Sequence, residues 1–362
     1  MTWVLVAGDF TPLGGMDRAN HALAMHLATD RREDVHLVGH RAWDDLTSQP
    51  NVTLHKIWRP LGSHALGKPL LAALGRRRVG SLARNGARVV VNGGNCPWPD
   101  VNWVHYVHAV HGTAGDQADE RIALSRARVV ICNSRRTRDD VVERVGVPAT
   151  KAHVVYYGAG TEFQPANSVQ RTRAREALGL DGDRLAALFI GALGDRRKGF
   201  DTLFAAWAGL CRDPSWDVDL IVVGTGRELP AWRERVRGAG LDSRVRFLGF
   251  RKDVAAIIAA ADVLVHPARY EAYGLGVQEA LSTGVPALVT ASSGIAERYP
   301  ADLEPLLIPD PDDATGLADR VRSWRRESDR WRERTAPFAA ALRARTWQTM
   351  AAEIADLAKR AA

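Results

Sequence analysis

Short runs of consecutive apolar residues alternate along this chain with segments of helical period. Trp3–Ala7 is an unbroken apolar run, the pattern of a strand buried on both faces. A glycine-bearing loop follows, then a helix-period segment from Asp17 to about Ala28. Val35–Gly39, Arg88–Asn92, Val101–His105, Val129–Asn133 and His153–Tyr157 read as further strands, with helical patterns between most of them. Pro165 to about Thr172 is polar and unpatterned, the character of a linker. The rhythm then restarts. Leu185–Gly191 is a buried strand, a Gly/Arg/Lys loop follows, and a helix runs from about Asp201 to Leu210. Val218–Gly224, Val245–Gly249, Val263–His266 and Ala287–Thr290 continue as strands, and the chain closes on a helical pattern from about Ala336 to Ala362. Both halves open as strand, glycine-rich loop and helix. The expected fold is therefore α/β, with two Rossmann-like, doubly wound parallel-sheet domains facing a cleft. The first is placed at residues 1–166 and the second at 167–345. In such sheets ligands bind beyond the carboxyl ends of the strands.

Composition narrows the picture. The 362 residues exceed one ordinary domain, and 46% hydrophobic with 25% charged residues is a globular balance. No apolar run approaches the roughly 20 residues of a membrane span. The first positive charge is Arg18, too far along for the basic start of a signal peptide. Cys96, Cys132 and Cys211 are too widely spaced for a disulfide framework or a cysteine-rich zinc site, and read as core thiols. These features predict a cytoplasmic protein. The net charge of +7 is uneven: residues 1–160 carry 20 Lys and Arg against 14 Asp and Glu, and residues 161–362 carry 29 against 28. Ten of the eleven histidines also lie in the first 160 residues. Arg76-Arg77-Arg78 is the best basic run, short and without interleaved aromatics, so no nucleic-acid partner is expected.

Three loops carry candidate chemistry. In Thr11-Pro-Leu-Gly-Gly-Met-Asp-Arg18, Gly14 and Gly15 separate a strand from a helix, where backbone can approach an anion. The spacing is not that of a dinucleotide fingerprint. In Gly191-Ala-Leu-Gly-Asp-Arg-Arg-Lys-Gly199, three cations, Arg196, Arg197 and Lys198, precede a helix N-terminus, which suits a diphosphate. In Tyr270-Glu-Ala-Tyr-Gly-Leu-Gly-Val-Gln-Glu279, two carboxylates eight residues apart flank a glycine turn and can accept hydrogen bonds from sugar and ribose hydroxyls. His105, His108 and His111 recur every third residue, but without the context of a zinc site. His266 beside the Glu271 loop and His111 read as structural, and Ser134 as a helix N-cap. Neither Asp217-Val-Asp219 nor Asp310-Pro-Asp312 falls at a strand's carboxyl end, so no metal ligands are expected.

Glu271-x7-Glu279 within RYEAYGLGVQEALSTGVP closely resembles the Glu-x7-Glu signature of family-4-type (group 1) retaining glycosyltransferases of the two-Rossmann-domain GT-B fold. The segments LGGMDRANHALAMHLA, ICNSRRTRDDVVERVGVPATKAHVVYYG, LFIGALGDRRKGFDTLFAAW, LIVVGTGRELPAW and VRFLGFRKDVAAIIAAADVLVHPARYEAYG resemble the family's other stretches in order. The resemblance implies that Lys198 with Arg196 and Arg197 binds the donor diphosphate. It gives Glu279 the ribose, Glu271 the transferred sugar, and the backbone of Ala272, Tyr273, Gly274 and Leu275 a place against sugar and phosphate. Gly14 and Gly15 would close over the phosphates, and Phe250 and Arg251, after Gly249, would cradle the base. His105, His108 and Arg18 fall to the acceptor side, with His105 the catalytic candidate beside Lys198, Arg197 and Glu271. Residues 346–362 would form a helix crossing back to the first domain.

Two departures from the family pattern stand out: Ala192 replaces the common arginine of the phosphate loop, and Tyr157-Gly-Ala-Gly160 replaces a common Asn-Gly-Val-Asp. The expected activity is metal-independent, retaining transfer of a sugar from a UDP- or GDP-type donor to an acceptor hydroxyl, with no cofactor. The acceptor is a glycan, lipid or small molecule. The basic first half suggests that it is anionic or is reached by peripheral contact with a membrane. A sugar-nucleotide epimerase or an inactive sugar-nucleotide-binding protein on the same fold is the alternative.

Overall fold

The computed structural model describes every residue except 85, 181–183, 195, 361 and 362. It divides into two compact units, residues 1–158 with 345–362, and residues 159–344. The division falls after Gly158, so residues 159–166 group with the second unit rather than the first.

The first unit is built on seven parallel strands: β1 (Thr2–Val6), β2 (Asp34–Gly39), β3 (Val52–Lys56), β4 (Arg88–Asn92), β5 (Val101–Val104), β6 (Val129–Cys132) and β7 (Ala152–Val154). Their order in the sheet is β3-β2-β1-β4-β5-β6-β7. β1 lies centrally, with Trp3 paired to Val35 on one side and Arg88 on the other, and Trp3 is fully buried. The sequence pattern does not single out β3, because this edge strand is half-exposed and reads Val-Thr-Leu-His-Lys rather than as an apolar run. The strand expected at His153–Tyr157 ends at Val154. Beyond it Val155 still donates to Cys132 O (2.8 Å), while Tyr157 turns its hydroxyl to His105.

The principal helices of this unit are α1 (Gly15–Met25), α2 (His64–Ala83) and α3 (Ala114–Arg126). α1 starts two residues before the expected Asp17 and passes into a wide turn at His26–Asp30. Thr113 and Asp116 form a capping box at the start of α3, satisfying two otherwise unpaired N–H groups. Ser134 caps Arg135–Asp140 as expected, accepting from Thr137 N at 3.0 Å. Cys96 and Cys132 are buried and Cys211 is half-buried, all as free thiols.

The second unit holds six parallel strands: β8 (Leu185–Ile190), β9 (Val218–Val223), β10 (Val245–Gly249), β11 (Val263–His266), β12 (Ala287–Thr290) and β13 (Leu307–Ile308). Their order is β10-β9-β8-β11-β12-β13. α4 (Phe200–Leu210), α5 (Leu275–Ser282) and α6 (Ser328–Ala344) carry or buttress the loops described below. At the opposite ends of the strands, Asp262 is nearly buried. It accepts from Arg171 (2.7 Å), Arg175 (3.5 Å) and Ala186 N (2.9 Å), tying Ser168–Ala177 to the sheet.

The single terminal helical pattern proves to be two helices. α6 ends at Ala344, and α7 (Trp347–Arg360) groups with the first unit; Ala361 and Ala362 lie outside the described residues. At the break, Arg345 donates to Tyr156 O (2.9 and 3.0 Å) and pairs with Glu353 (2.7 Å). α7 buries Met350, Ala351, Ile354, Ala355 and Ala358, one stripe of its surface. Replacing Asp262 with alanine should strip its arginines of their carboxylate and destabilise the second unit by about 3 kcal/mol. Denaturant unfolding reads this directly, and an unchanged transition midpoint would refute it.

Candidate active site

In the second unit the sheet reverses its winding between β8 and β11, and the loops leaving these two neighbouring strands meet. After β8, Arg196–Lys198 form one 3-10 turn leading into α4; Asp195 of the same loop lies outside the described residues. Gly199, with φ 71°, closes this turn, where a Cβ would stand 1.8 Å from Pro267 O. Only glycine permits that approach to the chain leaving β11. Arg269 locks the turn from the other side. Its N–H donates to Arg197 O (2.8 Å), and its guanidinium binds Arg196 O, Asp201 (2.8 and 2.9 Å) and Asp312 (2.7 Å).

Lys198 Nζ lies 2.5 Å from Glu271 Oε2, which also pairs with His266 Nε2 at 3.0 Å. Burial alone would raise the Glu271 carboxyl. The Lys198 charge and the His266 hydrogen bond overcome it and hold the group well below the usual carboxylate range. Arg196 in turn pairs with Asp201 at 2.8 Å. Arg196 and Lys198 thus already have carboxylate partners, so mutual repulsion does not by itself demand a bound anion. His266, expected only to pack, is a direct partner of Glu271.

Gly274, with φ 106°, caps the N-terminus of α5, where a Cβ would meet Ile295 Cγ2 at 3.0 Å. The segment before it is pinned by Gly294 N to Glu271 O (3.1 Å) and Ile295 N to Tyr273 O (2.6 Å). Ala272 and Gly274 are buried and Leu275 half-buried. The Tyr273 ring is also buried, and its hydroxyl binds Gln278 and Arg298, the latter at 2.8 Å. Glu279 lies one helical turn after Leu275 and is half-buried. Phe250 is 67% exposed after β10. Arg251 beside it is occupied by Asp253 (2.5 and 2.7 Å). Among the described residues no three His, Cys, Asp or Glu side chains gather to hold a metal ion. Asp217, Asp219 and Asp312 are instead engaged by Arg325, Arg184 with Arg244, and Arg269.

The first unit's sheet reverses between β1 and β4. A pocket of about 540 Å³ opens there, lined among others by Gly8, His40, Lys68, Asn95, His105 and His108. Gly14, with φ 82°, caps α1, Gly15 is the first residue of that helix, and Arg18 Nε donates to Pro12 O (3.1 Å). Burial and the charge of Asp9 raise the Asp17 carboxyl to about 6. His108 Nδ1 binds Glu120 at 3.1 Å, and the fully buried Glu120 also accepts from the N–H groups of His108 (3.0 Å) and Ala109 (3.1 Å). His111 closes the same short helix and its carbonyl accepts from Tyr106 (3.2 Å).

His105 is 9% exposed and its Nδ1 meets the Tyr157 hydroxyl at 2.5 Å. Asn133 Nδ2 donates to His105 O (3.0 Å) and to that hydroxyl (3.2 Å). The Tyr157 hydroxyl thus occupies Nδ1, and Nε2 is a buried nitrogen without a hydrogen-bond partner among the described residues. Burial pushes the ring's pKa down to about 3, so it is neutral near pH 7.

Two family models match the chain: Glycosyltransferase Family 4 over residues 13–163 and Glycosyl transferases group 1 over residues 184–326. The chain belongs to this glycosyltransferase family. It is 28% identical over 236 residues to the alpha-D-kanosaminyltransferase of Streptomyces kanamyceticus (64% of this chain, 60% of the relative). It is 32% identical over 242 residues to the lipopolysaccharide core biosynthesis mannosyltransferase LpsB of Rhizobium meliloti (64% of each). The match thus spans under two thirds of these relatives' length. In fold it superposes on the glycosyltransferase WaaG with TM-score 0.77 at 21% identity, covering 99% of both chains. It superposes on Anabaena HepE in complex with UDP and glucose with TM-score 0.76 at 19% identity, covering 98% of both. The fold is GT-B.

Sequence reasoning singled out the loops after β8 and β11 that the structure brings together, but missed Arg269, Arg298, Gln278, Glu120, Asn133 and Tyr157. Arg269 sat unread next to the Glu271 motif; the others become partners only through folding. Because the folded pKa of His105 lies below the unfolded value near 6.5, its contribution to stability is complete above about pH 6.5 and is lost as pH falls toward 3. Nitrogen NMR of the imidazole should show a neutral ring at pH 5, and a charged ring there would refute the assignment.

Proposed function

We propose that this protein is a retaining, metal-independent glycosyltransferase that moves a sugar from a nucleoside diphosphate sugar of the UDP or GDP type to an acceptor hydroxyl. The observation that carries the reading is the Lys198–Glu271–His266 cluster at the mouth of β8 and β11, in a chain of this family. HepE, similar in fold, is solved with UDP and glucose, which supports a nucleoside diphosphate donor. LpsB and the kanosaminyltransferase are named for sugar transfer, which supports transfer rather than epimerisation.

In this reading Lys198 leaves Glu271 for the donor diphosphate, joined by Arg197 and Arg196. Glu271, freed of its ion pair, accepts from hydroxyls of the transferred sugar. Glu279 holds the ribose, the backbone of Ala272–Leu275 lines sugar and phosphate, Gly14 and Gly15 approach the phosphates, and Phe250 with Arg251 flanks the base. The bond from the anomeric carbon to phosphate breaks with its electron pair going to the phosphate oxygen. The acceptor oxygen bonds on the same face, and its proton passes to that leaving oxygen. Cations fixed beside the developing charge supply the stabilisation that a metal ion supplies elsewhere. In this reading the neutral His105 carries its N–H on Nε2, donates to an acceptor oxygen and positions it, with His108 and Arg18 on the same side.

Lys198→Ala should lower the transfer rate by about 10²–10³-fold, the effect of losing one electrostatic donor to the transition state. Rates under saturating donor test this, and near-wild-type turnover would sink the assignment. Glu279→Ala should weaken donor binding about tenfold or more by calorimetry, the scale of a lost hydrogen bond to a charged group; unchanged affinity would remove the ribose role. Product analysis distinguishes transfer from epimerisation, which needs no acceptor.

A further inference from the structure

Arg76-Arg77-Arg78 has no part in the site, and its surroundings are unusual. Between Asp45 and Asp100 the chain contains no Asp or Glu, yet it carries eight cations: Lys56, Arg59, Lys68, Arg76, Arg77, Arg78, Arg84 and Arg88. This one stretch exceeds the whole surplus of the basic half. Lys68 pairs with Asp116 and Asp119, and Arg59 with Asp9. Arg76, Arg77, Arg78 and Arg84 are exposed, with no carboxylate partner among the described residues.

The same segment exposes large apolar side chains. Leu61 is 96% exposed and Trp58 69% exposed in the loop entering α2, and Leu66 (47%) and Leu74 (43%) project from α2 itself. Leu61 holds φ at 51°, the left-handed region that costs a branched side chain energy, without any burial in return. On α2 the buried line is Leu71, Gly75 and Val79. By helical spacing Leu66, Ala73, Arg77 and Arg84 fall on the opposite stripe, flanked by Leu74 and Arg76. The outward face therefore begins apolar, continues from a Trp/Leu loop, and ends in arginines. Lys68 and Leu71 of α2 also line the 540 Å³ pocket.

We propose that the loop Trp58–Gly62 and the outward face of α2 dock on an anionic lipid bilayer. The arginines approach the headgroups, and Trp58, Leu61, Leu66 and Leu74 enter the boundary with the acyl chains. No helix among the described residues is long and apolar enough to cross a membrane, so contact is from one side. The exposed leucines select lipid over nucleic acid, which would take the arginines and leave the leucines in water. The pocket lies on the inward side of α2, about one helix diameter from the docked face. The docking does not rest on the transferase reading.

The test is flotation of the full chain with vesicles, without donor or turnover, so that its outcome is separate from that of the catalytic reading. Phosphatidylglycerol-rich vesicles should bind the protein and pure phosphatidylcholine vesicles should not. Binding should fall about tenfold or more in high salt and in R76S/R77S/R78S, which reduce the attraction to the charged surface. W58S/L61S, surface changes that leave the melting temperature in place, should lose a similar factor. Absence of binding to anionic vesicles, or binding indifferent to both variants, would overturn the proposal. So would a lipid-free dimer dissolved by W58S/L61S, or duplex DNA binding as tight as vesicle binding and unaffected by W58S/L61S.

Discussion

A reversal of winding in each sheet is the constraint on which the rest of this molecule depends. In a parallel sheet, chains leaving two neighbouring strands ordinarily cross to the same side. Where the order reverses they diverge and leave a crevice at the carboxyl ends. The second unit reverses between β8 and β11, and Lys198 after one strand meets Glu271 after the other at 2.5 Å. A buried carboxylate is costly unless paired. Glu271 lies there paired with Lys198, on the turn that Gly199 and Arg269 hold, and with His266 at the end of β11. Both partners of the ion pair are largely withdrawn from solvent.

The first unit repeats the geometry with other chemistry. Its reversal between β1 and β4 opens a pocket floored by Gly8 and by the turn after Asn92. Beside the Lys68–Asp116 ion pair of its lining it presents a neutral, buried histidine backed by Tyr157 and Asn133. Charge is answered in both places, by Glu271 for Lys198 and by Asp116 for Lys68. The first unit's excess charge is displaced outward, onto α2 and its approach, where apolar side chains accompany it. Lys68 stands between the two, neutralised by Asp116 and Asp119.

Much of this was legible in the chain. The apolar runs located most of the strands to within a residue or two, because buried parallel strands must be apolar on both faces. They missed β3, exposed at an edge, and the two-residue edge strand β13. They also joined α6 to α7, because the break at Arg345 depends on Tyr156 O, which no local pattern discloses. The loop residues were recognisable from their types: cations before a helix, glycines at sharp turns, carboxylates at fixed separation. Their pairing was not: Arg196 and Lys198, whose charge suits a diphosphate, are already paired with Asp201 and Glu271.

The sequence by itself determined two doubly wound halves and which loops hold the reactive residue types, since each follows from local periodicity and short-range spacing, and it showed the family through its resemblance to an ordered set of motifs. Only the tertiary structure decided that Lys198 and His266 share Glu271, that Arg269 clamps the Arg196–Lys198 turn, that burial holds His105 neutral against the Tyr157 hydroxyl, and that the carboxylate-free stretch after Asp45 presents its leucines to solvent. Those are relations between groups distant along the chain or on opposite sides of one helix. They are set by strand order and burial, which a linear pattern does not contain.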